Sequence, residues 1–391
     1  MSFYERAKEL QEETVANRRH LHQYPELGYD QVETSAYIRS KLEEYGYDPE
    51  TFEAPIENSV VVNIGKPGKT IMLRADIDAL PIQEDTGLEF SSKIDGKMHA
   101  CGHDIHTAQL LTVARMLKER EDELEGTVKL LFQPAEELLN GAETLVKAGV
   151  LENPKVDFAL ASHVWPIAPK GIGFMKDHSM SGALNFKITL IGKSTHGAMP
   201  SRGVDPVYAA TFIFNGLQSI LAREVDFTSG GSITFGKFDG NGAMNLIPDK
   251  AVLEGTARSF TNETLKYMKE RIPEIAELLA KAFRCEMEIE WIADVPVLFN
   301  DPELVERVRK VAEETVGDAY EIFDFPQQNG SEDFAFFSKE VPSVYFISAH
   351  KDSDLYQYNV HNSKVVMNEE MMAPTAAIFA QTAVDYLKGN L

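Results

Sequence analysis

The stretch ALNFKITLIG, residues 183–192, alternates apolar and polar side chains. A period of two puts one face of a strand on a core and the other in water. The preceding strand, DFALASHV at 157–164, is apolar nearly throughout and reads as buried on both faces. The pattern therefore changes near residue 180, and the rest of the chain sorts itself around that change.

Upstream, helical patterns over 3–22 and Thr34–Tyr45 are separated by YPELG, where Pro25 and Gly28 break the helix. SVVVNIG (59–65), TIMLRAD (70–76) and GTVKLLFQ (126–133) read as buried strands, interleaved with helices near 104–119 and 137–148. Strands alternating with helices imply a parallel or mixed α/β sheet covered on both faces. Downstream of 183–192 come a helix at 205–222, the strands GSITFGKF and KAVLEGTARSF, a helix at 262–282 and the strand CEMEIEWI. That β-α-β-β-α-β order is ferredoxin-like. After about 295 the first pattern resumes, with helices at 301–316 and 368–388 flanking the strand SVYFIS. The expectation is an α/β fold: a mixed-sheet catalytic domain from 1–180 and 295–391, interrupted by a ferredoxin-like α+β lid or dimerisation domain at 181–294.

Composition narrows the chemistry. The 391 residues are 43% hydrophobic and 25% charged, with a formal net charge of −23. Such a surface repels polyanions, so nucleic acid and anionic membrane surfaces are not expected partners. The N-terminal MSFYERAKELQEETV has no apolar signal segment, and no run of about 18 apolar residues occurs, so a cytoplasmic location is expected. Two cysteines, Cys101 and Cys285, do not suggest a disulfide framework. GKPGKT at 65–70 superficially resembles a phosphate loop, but Asn63 stands where a glycine is required and a strand, not a helix, follows.

The concentrated chemistry is KMHACGHDIHTA, residues 97–108, which holds three of the ten histidines and Cys101. Cys101 and His103 sit where a turn enters a helix; thiolate and imidazole suit zinc and its neighbours, although a buried thiol beside a capping histidine is the plain alternative. LLFQPAEELL runs a strand into Glu136 and Glu137, expected at a helix start, where acidic residues also complement the helix dipole. ALASHVWP places His163 at a strand end, YNVHNSKV places His361 in a loop, and LRADIDALP places Asp76 and Asp78 at another strand end. Asp78 could orient a metal-bound histidine. Cys, His and Glu gathered at the ends of strands in one α/β domain point to divalent metal ions.

Together RADIDALPI, HACGHDIHTA, QPAEE, STHGAMP, NLIPD and GSEDFAFF resemble the dinuclear metallo-aminoacylase and carboxypeptidase family. The similarity is to its amidohydrolase branch, which includes N-acyl-amino-acid amidohydrolases, hippurate hydrolases and plant auxin-conjugate hydrolases, and it runs from RRHLHQYPELG to the last helix. The resemblance implies two divalent ions (Zn, Mn, Co or Ni) held by Cys101, His103, Glu137, His163 and His361, with Cys101 bridging. It implies Glu136 as general base and then acid, and Asp78 as orienting residue. Relatives with a His-x-Asp strand end carry a metal-binding histidine that Asp76 replaces here. His196 and Asn245 would serve the oxyanion from the partner subunit, and Arg258, with Gly330 and Ser331, would bind the substrate. A small N-acyl amino acid is the implied substrate, and a homodimer or homotetramer through the lid the implied assembly. Two other classes stay open on the residues alone: a thiol hydrolase with Cys101 activated by His103, and a non-catalytic metal- or ligand-binding protein on the same fold. His106 shares a helical face with His103 and could support it; His20 and His22 read as structural; Cys285 reads as buried and inert.

Overall fold

The structure is a computed structural model describing residues 1–391, Phe227 by its backbone alone. Residues 1–177 form helices α1 (Phe3–Glu9), α2 (Gln11–Gln23) and α3 (Val32–Glu44), strands β1 (Val60–Gly65) and β2 (Lys69–Asp76), helix α4 (His103–Glu119), strand β3 (Gly126–Gln133), helix α5 (Gly141–Lys147) and strands β4 (Phe158–Pro169) and β5 (Gly171–Phe174). There follow β6 (Asp177–Met180), β7 (Gly182–Ile191), β8 (Thr195–His196), α6 (Pro206–Ser219), β9 (Ser232–Asp239), β10 (Leu246–Ile247), β11 (Lys250–Ser259), α7 (Asn262–Ala282) and β12 (Glu286–Val295). The chain closes with β13 (Leu298–Asn300), α8 (Pro302–Val316), β14 (Glu321–Asp324), α9 (Ala335–Glu340), β15 (Ser343–Lys351) and α10 (Met372–Leu387).

Two compact units result. The first comprises residues 1–177, 299–327 and 336–391; the second comprises 178–298 with 328–335. Residues 328–335, which sequence reading places with the catalytic domain, pack within the second unit.

The first unit is built on a seven-stranded mixed sheet in the order β1-β3-β2-β4-β15-β5-β14. β2 runs parallel to β3 and β4, and β15 parallel to β4, while β1 and β5 are antiparallel to their neighbours β3 and β15. All eight residues of β3 are buried, as a strand covered on both faces requires. One of them is Lys129, whose ammonium donates to the carbonyls of Val150, Glu152 and Pro154 at 2.7, 2.8 and 3.0 Å. A charge inside a sheet is tolerated because three acceptors replace its water. α4 and α10 pack on β2 and on each other, and the core runs from Leu73 and Phe132 through Leu110 and Leu117 to Ile378.

The second unit is a four-stranded antiparallel sheet in the order β12-β7-β11-β9, with α6 and α7 packed on it. Counted along its own chain this is 4-1-3-2, the ferredoxin-like order. Leu184, Phe186, Ile188 and Leu190 of the alternating stretch are buried beneath Ile213, Leu217, Met268 and Ile272.

Three local expectations are corrected. The helix expected over 3–22 breaks at Leu10 into α1 and α2. The helix expected from 137 begins only at Gly141, because Ala135 takes φ 63° and Leu139 φ 57°, which an α-helix cannot accommodate. His163 is not at a strand end: the ladder to β15 continues from Ile347↔His163 as far as Lys351↔Pro169.

Candidate metal centre

β2 and β3 run in parallel and end together at Asp76 and Gln133, so the loops that follow share one edge of the sheet. Ligand sites of open α/β sheets form there. From β2 the chain passes to Asp78, whose carboxylate receives the backbone N–H of Glu136 (Oδ1, 3.1 Å) and of Glu137 (Oδ2, 3.1 Å) from the loop after β3. Asp78 thus ties the two loops together. Its carboxyl is pushed up chiefly by burial, although His103 works against that.

Gly102 is the residue before α4 and has φ 87°. A Cβ there would lie 2.3 Å from Val164 Cγ2 and 2.6 Å from Met367 Sδ. Only glycine lets the 97–103 turn lie this close to β4, and the turn presents Cys101 and His103 on the same side. Cys101 Sγ lies 3.3 Å from His163 Nε2. His163 Nδ1 lies 2.6 Å from the carbonyl of Val164, so Nδ1 carries the proton and the Nε2 lone pair faces the sulfur. His361, held at φ 63° with its N–H donated to Ala100 O, brings Nε2 to 3.4 Å from Glu137 Oε1.

Two of the five groups of metal-capable atoms among the described residues are the triads Cys101–His103–His163 and Cys101–Glu137–His361, each with all three atoms within 4.8 Å of one another. Cys101 belongs to both. His103 Nε2 is also 3.9 Å from Glu137 Oε1 and 4.0 Å from Glu136 Oε2. A third grouping, Asp76–His103–His106, is already engaged, because Asp76 accepts from Arg74 (Oδ2, 2.6 Å) and from His106 (Oδ1, 2.6 Å).

The electrostatics call for positive charge. Among the described residues, both ring nitrogens of His103 and Glu137 Oε1 are buried without a hydrogen-bond partner. Orphaned buried donors and acceptors are costly; His103 Nε2 and Glu137 Oε1 are metal-capable atoms, while His103 Nδ1 faces Asp78 at 3.4 Å. Burial, then the carboxylates of Glu137, Glu136 and Asp76, push the Cys101 thiol well up. Burial works to lower His103, yet Asp76, Asp78 and Glu137 overcome it and raise the imidazole to about 10. A thiolate, a carboxylate and three imidazoles are a fitting donor set for divalent ions of the zinc group.

Comparison with known proteins bears on this directly. A family model described as peptidase family M20/M25/M40 matches residues 72–385. The hippurate hydrolase of Campylobacter jejuni is 36% identical over 384 residues, covering 97% of this chain and 98% of that protein. The N-acetyl-L-cysteine deacetylase of Bacillus subtilis is 37% identical over 385 residues, covering 97% and 90%. The chain belongs to peptidase family M20/M25/M40. Among solved structures, the YXEP protein of Bacillus subtilis, described as a dinuclear metal binding peptidase from the M20 family, superposes with a TM-score of 0.81 at 32% identity, covering 97% of this chain and 99% of that one.

The other five candidates of this M20 chain lie in the second unit. His196 of β8 is paired with Leu246 of β10, and Gly197 N–H donates to Asn245 O at 2.8 Å, so His196 and Asn245 are neighbours. Arg258 Nη1 donates to Ser331 Oγ at 2.6 Å, and Ser181 Oγ donates to Gly330 O at 3.3 Å. Arg258 borders a cavity of about 400 Å³ lined also by Ser181, Ser232, Phe260 and Asn329.

Sequence reading missed one buried system in the first unit. Arg18, from RRHLHQYPELG, is 2% exposed and donates from Nε to Asp104 Oδ2 at 2.7 Å. His22 bridges Asp104 (2.8 Å) and Glu84 (3.3 Å). Asp104 directly follows His103, and a charged pair of arginines on an amphipathic helix gave no sign of which one turns inward.

Proposed function

We propose that this chain is a metal-dependent amidohydrolase that cleaves the amide bond of N-acyl amino acids or related conjugates. The observation that carries the reading is the pair of triads sharing Cys101, with Glu136 beside them. Cys101, His103 and His163 would hold one ion; Cys101, Glu137 and His361 the other. Zn, Mn, Co and Ni all suit these donors. Bound there, divalent ions supply Lewis acidity that polarises a carbonyl and acidifies water.

The chain's own residues do the rest. Glu136 takes a proton from the attacking water, and the oxygen adds to the amide carbon. His196 and Asn245 donate to the oxyanion that develops. Glu136 then returns the proton to the amide nitrogen, the C–N bond breaks, and a carboxylate and a free amino acid leave. Asp78 holds His103 from the Nδ1 side, 3.4 Å away, and fixes the Glu136–Glu137 backbone. Arg258, with Gly330 and Ser331, receives the substrate carboxylate; a planar guanidinium suits that bidentate contact.

Residues 181–294 are read as a lid and dimerisation domain, giving a homodimer or homotetramer in which His196 and Asn245 serve the partner's site. Tyr208 and Phe212 of α6, in edge-on and tilted contact with Phe283, stay 54% and 41% exposed, which suits burial against a second copy. The enzyme is read as cytoplasmic; among the described residues, no helix is long and apolar enough to cross a membrane.

The test is elemental analysis of the purified protein together with a panel of N-acetyl, N-benzoyl and longer N-acyl amino acids. Two equivalents of a divalent metal, and hydrolysis abolished by chelation and restored by metal, are expected. Hydrolysis that survives complete metal removal overturns the reading and favours a Cys101 nucleophile; metal without turnover on any substrate favours a binding protein.

A further inference from the structure

One histidine of the 97–108 cluster belongs to neither triad, yet both of its ring nitrogens are engaged. His106 is buried; Nδ1 lies 2.6 Å from Asp76 Oδ1, and Nε2 receives the backbone N–H of Val164 at 3.0 Å. An N–H only donates, so Nε2 holds the lone pair and the proton is on Nδ1, given to Asp76. Asp76 also accepts from Arg74 Nη1 at 2.6 Å, and Arg74 Nε donates to Gln133 Oε1 at 2.8 Å. Four buried groups therefore link the ends of β2 and β3 to one amide of β4.

The strand geometry explains why that amide needs them. β2 and β4 pair only from Ile71↔Phe158 to Leu73↔Leu160. Beyond Leu160 the ladder to β2 stops, and Val164 N–H is met by His106. The carbonyl of the same residue accepts from His163 Nδ1 at 2.6 Å, which turns His163 Nε2 toward Cys101. His106 and His163 thus grip opposite polar groups of Val164, with ring centroids 4.8 Å apart.

We propose that His106 is a positioning residue: with Asp76 and Arg74 it forms a buried strut that fixes Val164, and through Val164 fixes His163 within the Cys101–His103–His163 triad. The proposal rests on the metal-centre reading above. It is selective, because Glu137 and His361 of the other triad make none of the strut's contacts. It also gives Asp76 a purpose at the end of β2: a carboxylate there supports a ligand from behind.

Cobalt(II) titration of the metal-free protein, followed by absorbance and calorimetry without substrate, tests this. The native protein is expected to bind in two steps. His106→Phe keeps a ring but neither hydrogen bond, and should weaken one step by about 10- to 100-fold while leaving the other unchanged. His106→Gln offers an amide N–H to Asp76 and an oxygen to Val164 N–H, and should recover most of the lost affinity. Circular dichroism and thermal melting check that each variant is folded. Equal weakening of both steps, two unchanged steps in His106→Phe, or His106→Gln as weak as His106→Phe overturns the strut. A native protein that takes up no cobalt overturns the metal-centre reading and the strut's purpose with it. Should His106→Phe not fold, ¹⁵N-histidine NMR of the native protein decides: a proton on Nδ1 with Nε2 bare supports the strut, and a proton on Nε2, which cannot receive Val164 N–H, overturns it.

Discussion

Glu136 and Glu137 differ by one position and by what surrounds them. Both carboxylates lie equally far from His103 Nε2, at 3.9 Å for Glu137 Oε1 and 4.0 Å for Glu136 Oε2, but Glu137 Oε1 also lies 3.4 Å from His361 Nε2. That difference separates a proposed ligand from a proposed base. Glu136→Gln is therefore expected to keep its full metal content and lose turnover by about 10²- to 10⁴-fold, read by atomic absorption and steady-state kinetics; undiminished turnover removes Glu136 from the chemistry. Gly102 shows the opposite kind of residue, with no chemistry of its own. At φ 87°, with Val164 Cγ2 2.3 Å from any Cβ, Gly102→Ala must move either the turn or β4. About 1–3 kcal/mol of backbone strain adds to the clash, so a lower melting temperature and reduced metal uptake are expected. Normal uptake at the native melting temperature would show that the turn can relax. Residue identity together with the family resemblance made Cys101, His103, Glu137, His163 and His361 readable as candidates. The proton placement on His163 and His106 was not readable, because it depends on which carbonyl or amide each ring meets.

At the scale of elements, errors in reading the sequence share a cause. PAEELLNGAETL has good helix formers, and a helix from 137 is a fair expectation from propensity. Leu139 at φ 57° interrupts it, and Asp78, some sixty residues earlier, anchors the Glu136 and Glu137 amides in the turn before the helix begins at Gly141. Likewise β4 outruns its apolar stretch because β15 lies alongside. The N-terminal helix α2 supplies Arg18 and His22 to a buried ion network with Asp104 and Glu84. Burial alone would raise the Glu84 carboxyl, but His22, the Ser92 amide and the Thr86 hydroxyl overcome it and bring it from 4.5 to about 2. A carboxyl depressed on folding contributes stability that is whole above its unfolded value and lost as pH falls through its folded one. Stability should therefore drop as pH falls from 4.5 toward 2, and Glu84→Gln should flatten that slope in urea midpoints measured below about pH 5. An unchanged slope would assign the acid sensitivity to other carboxylates.

For the molecule as a whole, the division of labour follows the two units. All five proposed metal ligands, Glu136 and Asp78 lie in the first; His196, Asn245, Arg258, Gly330 and Ser331 lie in the second. A ligand that binds only the folded state stabilises it by mass action, by about 4 kcal/mol at a thousand times its Kd. Chelation should accordingly speed hydrogen exchange at residues 76–80, 97–107 and 133–141 and leave the cores of β7 and β11 protected as before. Equal loss of protection in both units would mean that they unfold as one. The net charge of −23 adds a reason for the local cations proposed here, since an anionic substrate approaches a surface of its own sign.

Read alone, the chain determined its fold class, because hydrophobic period is a local property: continuous apolar strands mark a sheet covered on both faces, and alternating ones mark the inserted α+β unit. It also determined which residue types were available for metal chemistry, because thiol, imidazole and carboxylate keep their donor character wherever they stand. Tertiary structure alone decided that Glu136 and Glu137 stand in a loop, that Arg18, Arg74 and Asp76 are buried supports, and which partners His22 and His106 meet. Those facts follow from hydrogen bonds between segments tens to hundreds of residues apart, and no local pattern records which distant group will meet a given side chain.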